Sequence, residues 1–334
     1  MTVPDMLLEQ AAILCRGPVR TVTPLPRRGR NNRVYRVDAD AGTFALKAYP
    51  EPVDGRDRLT VEFKGLHFLS SHGISALPRP VASAPELRLA LYEWIEGVPP
   101  QASQDAVDQA SDFLLGLHAL REAPDAAALP FASEACLSAA EILRQIERRR
   151  TRLSEQASDP RMMGWLETAF DPVFAQVIER VRQRHQRDKV SFDEECRSEG
   201  RTLSPSDFGF HNALCGTDGQ LVFLDFEYFG WDDPVKLIAD VCLHPGMELP
   251  PTLAARFRTA MLAVHGEQAA CRLDRVFPLY ALRWSLILLN EFLPQGRFLR
   301  SFAGVTEQEA DELRRAQLEK ADRMARHALG LAGI

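Results

Sequence analysis

The hydrophobic period of this chain changes once near residue 103 and reverts in only one later segment, and that switch sets its organisation. Before the switch, RVYRV (33–37) and TFALKAY (43–49) are short β-branched or aromatic runs separated by DADAG, a hairpin signal. Residues 58–70 then show helical spacing, closed by Gly73 just past its end. An apolar strand in LRLALYEWIEGVPP runs into a Gly/Pro break at 97–100. From Ser103, a residue type that caps helices, helical spacing recurs at 103–120, 134–157, 164–187, 252–266, 274–292 and 306–332. The exception is 203–229. The pattern predicts an α+β chain. Residues 1–96 make a small antiparallel β-sheet lobe with one main helix, a hinge follows at about 93–99, and residues 100–334 make a larger, mostly helical lobe with the 203–229 segment embedded.

Length agrees, since 334 residues at roughly 100–200 per domain suit two lobes. The net charge of −6 argues against a nucleic-acid partner, because polyanion binding needs a basic surplus. The six cysteines are scattered without a CxxC pair, and no histidine cluster has metal-ligand spacing. They read as reduced thiols. Neither a leader pattern nor a run of about 18 apolar residues is present, so a cytoplasmic monomer or homodimer without a membrane partner is expected.

The chemistry concentrates in LSPSDFGFHNAL (203–214) and the stretch after it. In NALCGTDGQLVFLDFE, two apolar strands flank Asp218-Gly219, a strong two-residue hairpin signal. With that loop Thr217 faces Gln220 and Asn212 faces Asp225, and directly opposed residues on one sheet face hold their β-carbons about 5 Å apart. A carboxamide beside a carboxylate suits Mg²⁺, a hard cation that takes oxygen ligands. Asp207 precedes Asn212 by five residues and can reach the same place. The plain alternative is a surface ribbon with polar ends. Against it, Asp225 follows Leu221-Val222-Phe223-Leu224, an apolar run in which an unpaired carboxylate is costly.

Lysine is scarce, and Lys47 alone lies inside an apolar strand. It either faces solvent opposite Phe44, Leu46 and Ala48 or seeks a partner. With DADAG as a five-residue loop, Lys47 lies across from Arg33, beside the loop Gly29-Arg30-Asn31-Asn32, which could cover phosphates. Along the helix at 58–70, Leu59, Glu62, Leu66 and Leu69 form one stripe. Glu62, its charged member, either faces solvent or pairs with Lys47 as a half-buried ion pair.

In their order along the chain these residues resemble the aminoglycoside phosphotransferase / choline kinase-like family, relatives of the protein kinases. The likeness runs from GRNNRVYRV through Lys47 in FALKAY, Glu62, YEWIEG and SDFGFHN to FLDFEYFGWDDP. It implies a protein-kinase-like two-lobe fold and an ATP- and Mg²⁺-dependent transfer of the γ-phosphate to a hydroxyl of a small molecule. On that resemblance Lys47 binds the α/β-phosphates and is held by Glu62, and Asn31 and Asn32 lie in the nucleotide loop. The backbone of Glu93, Trp94 and Ile95 meets adenine, Asp207 orients the acceptor hydroxyl, and Asn212 and Asp225 bind the metal. The chain departs from the family pattern where Pro205-Ser206 replaces His-Gly, where GRNNR is poor in glycine, and where Leu237 stands in place of an Asp, with Asp240 one turn later.

For the acceptor, Glu227 and Asp232, with Asp233 beside them, and Arg283, Trp284 and Glu291 in YALRWSLILLNEF are candidates. The alternative for the latter group, which includes Asn290, is a buried hydrogen-bonded brace. A sugar-like metabolite is the first expectation, an amino alcohol or aminoglycoside the second. The competing reading is a pseudokinase whose altered Pro205-Ser206 loop no longer transfers phosphate. A helical scaffold, showing no nucleotide-dependent thermal shift, is a third. His118 reads as packing at a helix end, and the ERRRTR run (147–152) as a solvated helix face.

Overall fold

A computed structural model describes residues 5–25, 32–51, 55–247, 249–294 and 306–334. Asn31 lies outside them. The chain forms two compact units, one of Met1–Ser133, Thr202–Asp232 and Gly246–Met261, the other of Glu134–Arg201, Asp233–Pro245 and Leu262–Ile334.

The first unit is built on a five-stranded antiparallel sheet. After α1 (Asp5–Cys15) come β1 (Val19–Pro24), β2 (Arg33–Ala39), β3 (Gly42–Ala48), α2 (Arg58–Ser71), β4 (Pro80–Ala84) and β5 (Leu89–Glu93). The strand order is β1-β2-β3-β5-β4. Ala11 and Leu14 of α1 pack with Val22, Val37, Leu46, Leu89 and Leu91 into one apolar cluster, so alternate strand residues line one face. On α2 the stripe expected from sequence is buried as a unit, Leu59, Glu62, Leu66 and Leu69 alike. Its N-terminus is capped by the Asp57 carboxylate, which accepts the Thr60 N–H at 3.0 Å. Gly65 has to be a glycine, because a β-carbon there would lie 2.7 Å from the Phe229 ring.

After α3 (Gln104–Ala119) the unit includes β6 (Thr202–Ser204), β7 (Ala213–Cys215), β8 (Leu221–Phe223) and β9 (Gly230–Asp232). Two hairpin registers differ from the sequence reading by one residue. β2 runs through Ala39, which pairs with Gly42, so the loop is Asp40-Ala41 and Lys47 faces Val34 rather than Arg33. In the later hairpin Cys215 pairs with Leu221, and the Gly216 N–H reaches the Gln220 carbonyl at 2.9 Å. That leaves a three-residue loop, 217–219, with Gly219 left-handed at φ 81°. Leu224, not Asp225, therefore lies opposite Asn212, and its N–H bonds the Asn212 carbonyl at 2.8 Å.

The second unit is helical, with α4 (Ala139–Gln156), α5 (Pro160–Trp165), α6 (Asp171–Asp188), α7 (Pro234–Leu243), the part of α8 (Pro251–Ile287) from residue 262, and α9 (Glu307–Ala332). The single helix expected at 164–187 is interrupted by a π turn at Leu166–Phe170. Pro172, which lacks an N–H, follows it at the start of α6. The gap expected between 266 and 274 shrinks to Gly266, whose φ of 80° and ψ of −179° break α8 locally.

Candidate active site

Lys47 sits on β3 between Val34 of β2 and Ala90 of β5. It is buried, so the solvated-face alternative fails. Its Nζ donates to Glu62 Oε2 at 2.6 Å and to Asp225 Oδ1 at 2.5 Å. Burial works against its charge, but the carboxylates of Asp225, Glu62 and Glu227 outweigh that penalty and raise its pKa, so the ammonium persists. Glu62 is pinned on both oxygens. Oε2 also accepts the Tyr49 hydroxyl at 2.6 Å, and Oε1 accepts the Phe226 N–H at 3.3 Å. Burial, opposed by Lys47, pushes the Glu62 carboxyl above its usual range.

Asp225 ends the β8 run in the left-handed region, φ 65°, a conformation that costs a non-glycine residue roughly 1–2 kcal/mol. The turn aims its carboxylate at Lys47 while leaving a third of the side chain exposed. Two residues on, Glu227 is buried, accepts the Asn32 amide at 2.5 Å and has Arg58 Nη1 at 3.9 Å. One oxygen each from Glu62, Asp225 and Glu227 lie within 4.8 Å of one another. Glu227, expected from sequence at the acceptor, thus stands beside the Lys47 cluster.

Asp207 lies on the loop between β6 and β7, its side chain 42% exposed. His211 Nε2 is 3.1 Å from Asp207 Oδ1, and Asn212 Nδ2 donates to the Asp207 carbonyl at 3.0 Å. That bond turns the Asn212 amide so that its oxygen is not the committed atom. The loop is braced without an imidazole at 205. Ser206 takes a left-handed φ of 69°, its N–H meets Ser204 Oγ at 3.0 Å, and its own Oγ donates to the Ser133 carbonyl at 3.0 Å. Phe208 stacks on Phe113 at 5.8 Å.

At the linker, the Glu93 N–H donates to the Arg79 carbonyl at 2.9 Å and its carboxylate accepts Arg79 Nε at 3.1 Å. Trp94 Nε1 donates to Glu96 at 2.7 Å beneath the Arg36 guanidinium, and Ile95 is half-buried. Past it, Val98 and Cys215 exchange backbone hydrogen bonds of 3.0 and 2.8 Å. A β-carbon on Gly97 would lie 2.7 Å from the Cys215 carbonyl oxygen, so this close approach requires glycine.

The other acceptor candidates fall elsewhere. Asp232 is buried at the end of β9, opposite Thr202. Asp233 caps α7 by accepting the Val235 N–H at 2.9 Å and pairs with Arg272. In the second unit Arg283 donates to Gln145 (2.9 Å), Asp240 (3.1 Å) and Glu134 (2.9 Å), and Trp284 Nε1 donates to Asp240 at 2.9 Å. Glu291 is buried in a 3₁₀ turn. Arg283 and Trp284 thus form the buried brace.

Sequence reasoning passed over Tyr49 and His211. Tyr49 lies two residues beyond Lys47 in an extended run, hence on the same side, and His211 stands four residues from Asp207; each spacing was a usable signal.

A model of the phosphotransferase enzyme family matches residues 21–273. A search of curated protein sequences finds no significant match. Among solved structures, the chain is similar to a choline kinase from Streptococcus pneumoniae at 15% identity and a TM-score of 0.61, covering 97% of this chain and 98% of that one. A spectinomycin phosphotransferase in complex with ADP and spectinomycin aligns at 11% identity and a TM-score of 0.65, covering 96% and 98%. An aminoglycoside phosphotransferase with streptomycin and ATP aligns at 15% and 0.59, covering 97% and 99%. The shared property at these identities is the fold. Among the described residues no helix is long and apolar enough to cross a membrane.

Proposed function

The chain belongs to the phosphotransferase enzyme family, and we propose that it moves the γ-phosphate of ATP to a hydroxyl of a small molecule. The observation that carries this reading is the buried ammonium of Lys47 held 2.6 Å from Glu62 and 2.5 Å from Asp225. Phosphoryl transfer has a loose transition state, so the protein supplies chiefly position and charge. Lys47 presents a fixed cation to the nucleotide phosphates, and Glu62 keeps it aimed. Asn32 extends from the loop region to Glu227 and steadies the same edge. We assign the adenine contact to the backbone of Glu93 to Ile95, and a hinge between lobes to about 93–99.

Asp225 and Asn212, with Glu227 as a further oxygen donor, fit a hard cation: one carboxylate is partly open, a second lies within 4.8 Å, and the Asn212 amide nitrogen is already committed. Mg²⁺ held there would neutralise charge on the phosphates. Asp207, exposed and contacted by His211, orients the acceptor hydroxyl and takes its proton. The fold neighbours that carry choline kinase, spectinomycin and streptomycin in their names support a small polar acceptor. A sugar-like metabolite remains our first choice, an amino alcohol or aminoglycoside the second.

Turnover of ATP against a panel of sugars, amino alcohols and aminoglycosides tests this directly. Asp207→Ala should lower transfer about 10²–10⁴-fold while MgATP still binds, the loss expected of a proton-transfer group. Undiminished transfer in that variant would remove the assignment. Nucleotide binding without turnover of any hydroxyl compound would favour the pseudokinase, for which the Pro205-Ser206 replacement is the motive.

A further inference from the structure

Two buried phenols extend the Lys47 network. Tyr49 OH lies 2.6 Å from Glu62 Oε2 and 2.7 Å from Tyr92 OH. The hydrogen-bond direction follows from proton counting. Glu62 is an acceptor as the carboxylate, so Tyr49 spends its single proton there, and its oxygen must accept the proton of Tyr92. Burial first, then the Glu62 charge, raises both phenols well above their ordinary pKa, so they stay donors. The result is a directed chain, Tyr92 to Tyr49 to Glu62, with Lys47 on the same oxygen.

Its ends matter. Tyr92 is the residue of β5 immediately before Glu93, where the linker begins. The other end fixes a carboxylate whose second oxygen is held by the Phe226 N–H, beside Asp225. Pinned on both oxygens, Glu62 cannot rotate without breaking a hydrogen bond in a buried site, where an unmet polar group is costly. Lys47 shares its charge between Glu62 and Asp225, so when Asp225 turns to another cation, Glu62 alone sets where the ammonium points.

We propose that Tyr49 and Tyr92 are positioning residues that aim Lys47 through Glu62, linking the strand that enters the linker to the phosphate end of the nucleotide site. The inference rests on the reading of Lys47 as the phosphate-binding cation. A merely structural pair of phenols would loosen the whole site; a positioning pair acts on phosphate alone.

Calorimetric titration of the full chain with MgATP and with adenosine separates the two, using Tyr49→Phe and Tyr92→Phe, each with Lys47 intact and with Lys47→Met. Tyr49→Phe should weaken MgATP about tenfold, the scale of one hydrogen bond to a charged group, while adenosine changes less than about twofold. In the Lys47→Met background the same change should add no further loss, as coupled residues behave in a double-mutant cycle. Tyr92→Phe should show the same pattern with a smaller loss, and it carries the test alone if Tyr49→Phe does not melt cooperatively. Equal weakening of both ligands, or additive losses with Lys47→Met, overturns the proposal. Failure of the underlying reading looks different: wild-type protein binds neither ligand, or Lys47→Met binds MgATP as well as wild type, and either result removes both.

Discussion

Each unit of this protein buries a charge cluster, and the two are built to different ends. In the second unit Asp240 accepts from Arg283 and Trp284 and pairs with Lys236 at 3.1 Å, while Arg283 also satisfies Glu134 and Gln145. Each acid there has a cation, and the guanidinium uses its whole fork. In the first unit three carboxylates each place one oxygen within 4.8 Å of the others beside the Lys47 ammonium, with Arg58 3.9 Å from Glu227, and Asp225, one of them, is a third exposed. The first arrangement closes on itself; the second sets three carboxylates against Lys47 and Arg58 and leaves one of them partly open to solvent. A self-satisfied network serves the fold, and a cluster with surplus charge is prepared for a ligand at some expense of stability.

The largest effect should come from breaking the closed network. Asp240→Asn takes from buried Lys236 and Arg283 the carboxylate they share, and stability in chemical denaturation should fall by about 3–5 kcal/mol. Asp225→Asn is the matching change at the open cluster. It removes one of three mutually repelling carboxylates while Lys47 keeps Glu62, so stability should shift by less than about 1 kcal/mol in either direction while phosphoryl transfer is lost. If both variants lose the same stability, the contrast between the clusters is wrong.

The acid limb of stability sharpens the contrast. Burial alone would raise the Glu134 carboxyl, yet Arg149 and Arg283 hold it down at about 2, against an ordinary value of 4.5. A carboxyl depressed on folding contributes stability that is complete above its unfolded pKa and disappears as pH falls through the folded one. The Glu134 contribution should therefore decline between pH 4.5 and about 2. Denaturation midpoints across that window should fall less steeply for Glu134→Gln than for wild type. Parallel slopes would mean that the two arginines do not hold this proton off.

How much of this was legible beforehand follows the physics of each element. The α2 stripe of Leu59, Glu62, Leu66 and Leu69 was readable because a one-sided helix repeats its signal over several turns, and its single charge pointed to Lys47. α7 was not. Val235, Leu237, Ile238, Ala239, Val241 and Leu243 are buried and so are the paired Lys236 and Asp240, so no exposed polar face sets a period. The hairpin after Asn212 was visible in Asp218-Gly219, but its register was not, since Gly219 serves two-residue and three-residue loops alike and one residue shifts every partner. The closeness of Asp225 to Lys47 could not come from pairing arithmetic. It depends on a left-handed backbone at Asp225, a choice made by the packing around it.

The smallest effect concerns the loop that carries Asp207. Ser206 is held at φ 69°, where glycine would rest without strain, and what its side chain adds is the hydrogen bond its Oγ donates to the Ser133 carbonyl. The glycine of the family pattern at this position is explained by that backbone angle. Ser206→Gly would remove a strain of roughly 1–2 kcal/mol but also one hydrogen bond of about 1 kcal/mol and some rigidity of the unfolded chain, so stability should change by under about 1 kcal/mol. If the Ser206 hydroxyl has taken over the bracing once supplied by an imidazole at 205, the variant should keep its melting temperature yet lose transfer rate several-fold, with MgATP affinity unchanged. A variant equal to wild type in both would assign the bracing to the stacked Phe208 and Phe113 rings instead.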